Sequence, residues 1–120
     1  MVNVREAFWA MVRNPQLLIN YLRDLGIDIS EFCREEPIRE FNCPPGENDD
    51  FRIRFFVVSY IYLKVLYQEL RELGTSGVFV EGGLNELMGD VLTDMRLYDA
   101  PPKLMNAVVS IVRDILKLAR

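Results

Sequence analysis

The chain has 120 residues, half of them apolar and about a quarter charged, and a net charge of −4. That is the size and composition of one globular domain, which buries roughly two-thirds of its unfolded surface without help from a metal or a disulfide. Histidine is absent, which excludes Ser-His and Cys-His catalysis, histidine metal ligation and imidazole pH sensing, and the negative balance argues against a protein that coats polyanions.

The first stretch, VREAFWAMVR, has charges within any apolar run, so it does not read as a signal peptide. It reads as a helix from about Asn3 to Arg13. Arg5, Trp9 and Arg13 recur on it at i, i+4 and i+8, beside an apolar face of Val4, Phe8, Met11 and Val12. An indole between two guanidiniums suits cation–π contact, base stacking or phosphate binding. Together with Arg52 and Arg54, these are the candidate contacts for nucleic acid or an acidic partner. The plainer reading is that Trp9 closes the core edge while the arginines pair with acids.

Asn14-Pro15 ends this helix and starts the next. The second helix places Leu17, Leu18, Ile19, Tyr21, Leu22 and Leu25 on one face, and Gly26 supplies its stop. A short helix follows within 28–36, with Asp28 and Glu31 as a capping box and Pro37 as its end. Cys33 and Cys43 form no CxxC pair, and two thiols alone cannot build a structural zinc site. They are expected as free thiols in a reducing cytosol, with a single bridge as the alternative.

After the loop NCPPGEND, Asn48 or Asp49 is expected to cap a long helix over about 49–73. Its upper part, FFVVSYIYLKVLY at 55–67, carries one charge, Lys64. Val57, Val58, Ile61 and Val65 continue upward the same side that lower down carries Gln68, Glu69 and Glu72. The upper half is therefore apolar all round and must be enclosed. The expected cover is the chain's own helices, with the short 29–36 helix or Val78-Phe79-Val80 closing the strip. The alternative makes these four residues a partner or oligomer interface. The stretch is shorter than the roughly 20 residues that cross a bilayer, so no membrane span is expected.

The fifth helix, about 84–98, bears Glu86, Asp90 and Asp94 as an acidic ridge at i, i+4 and i+8. The ridge is solvated, paired with Arg96 and other basic residues, or a dock for a basic partner. Glu69, Glu72 and Glu86 nearly make the carboxylate pattern of the all-α nucleotide pyrophosphohydrolases. The fourth ligand would fall on Gly89, and Asp90 is one residue, about 100°, out of phase, so no family follows from it. Gly89 lies inside a helix, which predicts a close helix approach or a bend there. Asp99 is expected to cap the last helix. That helix offers a wide apolar arc of Leu104, Met105, Ala107, Val108, Ile111, Val112, Ile115 and Leu118.

The sequence thus predicts an all-α single domain over 1–120, a bundle of five or six helices around the 49–73 helix. It points to no catalytic residue, metal ligand or cofactor. The expected function is that of a cytoplasmic, non-enzymatic interaction or accessory subunit of a larger assembly, with a protein partner or a homo-oligomer. The alternative is a nucleic-acid-contacting small subunit of a ribonucleoprotein or DNA-processing complex. A Mg-dependent pyrophosphohydrolase ranks third.

Overall fold

The computed structural model describes residues 3–73 and 83–118. Among them are six helices and no strand: α1 Val4–Arg13, α2 Gln16–Asp24, α3 Ser30–Cys33, α4 Phe51–Leu73, α5 Leu84–Leu97 and α6 Pro102–Leu118. At 1.5 Å per residue α4 is about 35 Å long, and the longest dimension of the molecule is 36 Å. The other helices are built on it. α6 packs along α4 most extensively and α1 next, α5 joins α1 to α6, and α2 leans on α1.

The helix ends follow local chemistry. Asn3 caps α1, its side-chain oxygen accepting the N–H groups of Arg5 (3.0 Å) and Glu6 (3.3 Å). α2 stops at Gly26, whose φ of +76° is left-handed and suits a residue without Cβ. There the N–H of Gly26 bonds Arg23 O at 2.9 Å and that of Ile27 bonds Leu22 O at 2.8 Å, a Schellman closure. α5 ends the same way on Asp99, with φ +54° and the N–H of Ala100 reaching Met95 O at 2.9 Å. Asp99 therefore terminates α5 and is not the cap of α6, which starts on Pro102, where a missing N–H costs nothing. At α4 the capping carboxylate is Asp50, which accepts the Arg52 N–H at 2.7 Å. Asp49, an expected cap, turns back to Gly46 N (2.6 Å) and Asn42 Nδ2 (2.8 Å).

Every residue from Phe55 to Leu66 except Lys64 is at most 4% exposed. Val57, Val58 and Ile61 are fully buried and Val65 is 1% exposed. The strip is therefore core, and as an interface for a second subunit it is corrected: the chain fills the space that a partner would need. Residues on either side of the expected 29–36 helix border α4. Ile27 lies beside Val65, Phe32 and Ile38 are buried, and Phe41 packs against Phe56 with ring centroids 5.6 Å apart. Val78-Phe79-Val80 lies outside the described residues. A second aromatic layer, Phe8, Trp9, Phe55 and Tyr98, joins α1 and the end of α5 to the start of α4.

Three other expectations change. Cys33 and Cys43 are joined in a disulfide, with their Cα atoms 5.5 Å apart, because the turns of 34–42 fold back once Ile38 and Phe41 enter the core. The buried stripes are narrower than the apolar ones. On α2 only Leu18 and Leu22 are buried, while Leu17 and Leu25 remain 41% and 43% exposed. On α6 the buried set is Leu104, Val108, Val112 and Ile115, with Ile111 at the edge. Gly89 lies on the exposed face of α5, where an added Cβ would meet nothing within 4 Å, so no helix approaches it. Among the described residues no helix is long and apolar enough to cross a membrane.

Candidate functional site

The sequence offers two charged ridges, one basic on α1 and one acidic on α5. The fold brings them together. Arg5 binds Asp90 with two bonds, Nε to Oδ2 at 2.7 Å and Nη2 to Oδ1 at 3.2 Å. Trp9 Nε1 donates to the same Oδ2 at 3.1 Å. Partial burial pushes the Asp90 carboxyl up, but the bonds from Arg5 and Trp9 outweigh it and hold it below the usual carboxylate range. The same contact raises Arg5. Asp94, one turn further on, is pushed up by burial and by the charge of Asp90. Glu86 lies near enough to act on the Arg5 charge.

Trp9 is consequently rigid. Its ring stacks on Phe55 at 5.8 Å and 15°, and it meets Phe8 edge-on at 4.9 Å. Only part of it faces solvent. With Asn3, Arg5, Glu6 and Arg13 it lines a shallow hollow of about 430 Å³. Arg13 is exposed, and among the described residues its guanidinium makes no recorded hydrogen bond or ion pair.

Arg52 and Arg54 do not join this site as free charges. The guanidinium of Arg52 donates to the Tyr98 carbonyl oxygen at 2.7 and 3.2 Å, at the end of α5. Arg54 Nη1 donates to the carbonyl oxygens of Arg13 (3.3 Å) and Glu47 (3.5 Å). Each places a cation on the last carbonyls of a helix, where unpaired C=O groups and the helix dipole favour it. The first turn of α4 thus uses both to hold the ends of α1 and α5.

The carboxylates of the pyrophosphohydrolase-like pattern are also separated. Glu86 sits beside Arg5, whereas Glu69 and Glu72 line a hollow with Leu25, Ile27 and Val65. Among the described residues no group of three or more Cys, Asp or Glu side chains could hold a metal ion. One polar cluster joins residues that lie far apart in sequence. Glu35, from the turn after α3, accepts from Lys64 Nζ and from Tyr60 OH, the latter at 2.7 Å. Tyr60 and Lys64 are one helical turn apart, and their partner lies 25 to 29 residues away.

No protein family, curated protein or solved structure matches the chain.

Proposed function

We propose that the chain is a non-enzymatic helical docking subunit that engages a protein partner through the α1 surface around Trp9. The observation that supports this is the partly exposed tryptophan between Arg5 and Arg13, stacked on Phe55 and hydrogen-bonded to Asp90. Tryptophan and arginine dominate the energetics of protein interfaces, and a side chain already fixed by Phe55, Phe8 and Asp90 loses little conformational freedom on binding.

Local charge favours a protein over a nucleic acid. Arg5 and Arg13 supply two positive charges around the hollow, and Glu6, Asp90 and Glu86 supply three negative ones. A phosphate backbone needs a net basic surface. The expected cytoplasmic setting came with free thiols. The Cys33–Cys43 bridge instead favours a compartment, or a hyperthermophilic cell, in which disulfides persist.

The test is affinity capture from an extract of the source cell with wild type, Arg13→Glu and Trp9→Ala, each variant checked for native circular dichroism. The expected result is a defined partner retained by wild type and lost with both variants. Equal capture by all three removes the α1 surface from the proposal. Retention on single-stranded RNA or DNA that weakens with salt and with Arg13→Glu supports the nucleic-acid reading instead.

A further inference from the structure

Residues 34–50, between α3 and α4, contain no helix or strand. Their first part, 34–42, nevertheless covers one ridge of α4, on which Phe56, Tyr60 and Lys64 follow one another at i, i+4 and i+8. Phe41 packs on the Phe56 ring with centroids 5.6 Å apart. Glu35 accepts from Tyr60 OH at 2.7 Å and from Lys64 Nζ. Ile38, between them in sequence, is fully buried. Under this cover Phe56 and Tyr60 are only 2% and 4% exposed.

The cover is attached by side chains alone. Among the described residues, the backbone hydrogen bonds of 34–42 close on the segment itself or on Phe32. The Glu35 N–H goes to Phe32 O, those of Ile38 and Arg39 to Glu35 O, and that of Phe41 to Ile38 O. None reaches α4 or α6. Of the ion pairs to other helices, Lys103–Glu36 is exposed and contributes little. A segment with few buried anchors and no backbone bonds to its neighbours opens at lower free energy than the helices beneath it. What ties its two ends together is covalent: the Cys33–Cys43 bond brackets 34–42. Both cysteines are part-exposed, within reach of a thiolate from solvent.

We propose that 34–42 is a redox-gated strap. Oxidised, the bridge holds it shut over the Phe56–Tyr60–Lys64 ridge. Reduced, it opens by itself and uncovers that ridge while α4 stays helical. The reductant is a dithiol. Its thiolate attacks one sulfur of the bridge to form a mixed disulfide, which its second thiol resolves. Two electrons and two protons pass to Cys33 and Cys43, and the dithiol leaves as a disulfide. The bridge gates the strap because it withholds from the opened segment the same chain freedom that it withholds from the unfolded protein. For a sequence separation of 10, that restriction is about a hundredfold in the opening equilibrium. The closed strap still predominates after reduction, since Ile38 and Phe41 keep their places; what changes is how often it opens. The device is independent of the α1 surface.

Trypsin reads the opening. Arg34 and Arg39 are exposed positions within the strap, and cleavage there requires the segment to leave the bundle. Where reclosing is fast, the cutting rate follows the opened population. The oxidised protein, the protein kept in a dithiol, and the Cys33→Ala/Cys43→Ala variant are digested side by side. First cuts are located by mass spectrometry after denaturation and reduction. Cleavage after Arg34 and Arg39 is expected to be roughly a hundredfold faster in the reduced protein and in the double variant than in the oxidised protein. No first cut should fall at Arg52, Arg54 or Lys64 of α4. The strap rate should rise only weakly with urea, because a short segment exposes little surface. Equal strap cleavage in the oxidised and reduced forms overturns the proposal, since the bridge then gates nothing. So does first cleavage in α4 as fast as in the strap, or a urea dependence as steep as that of the global melt, since the strap then opens only with the whole bundle.

Discussion

Reducing the Cys33–Cys43 bond should lower stability by about 2.7 kcal/mol without unfolding the protein. The bridge spans a sequence separation of 10, so it closes a loop of about 11 residues. The loop-closure relation gives an entropy change of about −9 cal/mol/K for that length, hence about 2.7 kcal/mol at 25 °C. The native segment keeps its other anchors on reduction: Ile38 is fully buried, Phe41 packs on Phe56, and Glu35 and Glu36 hold Lys64 and Lys103. The loss therefore falls mainly on the unfolded chain, whose freedom the bridge restricts. Urea melts of the oxidised protein and of the Cys33→Ala/Cys43→Ala variant measure it. With a slope of about 1–3 kcal/mol/M, the midpoint should fall by roughly 1–3 M. The native protein should also yield no thiol to a colorimetric reagent until reductant is added. Coincident melts, or two reactive thiols in the native state, would refute the reasoning.

Gly89→Ala should stabilise the protein by about 1 kcal/mol, since the site is helical and open. Calorimetry should read this as a rise in Tm of roughly 3–6 °C, and a fall would mean that the backbone there needs glycine. Ile61→Asp places an unpaired charge in a fully buried site and should cost at least about 3 kcal/mol. Circular dichroism should show a largely unfolded or strongly weakened chain, whereas a stable folded monomer contradicts the core assignment. Glu69→Gln should be more stable than wild type at pH 7. Its carboxyl is raised in the folded state, so the wild-type cost is absent below the ordinary carboxylate value and grows as pH rises through the folded one. The advantage should vanish in urea melts near pH 3.5, and an equal advantage at both pH values would sink the argument.

What the sequence made legible was local. Pro15 and Gly26 mark helix ends because a missing N–H and a left-handed φ act within one turn. The apolar run of α4 predicted its own enclosure because a helix without a polar side has no face for water. The ridges on α1 and α5 were each visible, but their meeting was not: Arg5 and Asp90 are 85 residues apart, and no period in either helix encodes the other. The same blindness explains Arg52 and Arg54, whose carbonyl partners belong to other helices. It also explains Leu17 and Leu25, apolar positions on a helix that the core covers only along Leu18 and Leu22. The cysteine pair was undecidable from spacing, because only the fold of 34–42 sets the distance between them.

The enclosure of α4 makes its backbone a reporter. Amides held inside a helix that is covered on every side exchange with solvent only when the whole bundle opens, so hydrogen exchange at Phe55–Leu66 measures the global free energy. A partner that binds only the native form raises that free energy by mass action, through the factor 1 + [L]/Kd. Exchange at these amides should slow by the same factor, although the partner touches none of them. Deuterium uptake of one α4 peptide can therefore screen for ligands of the α1 surface before that face is labelled.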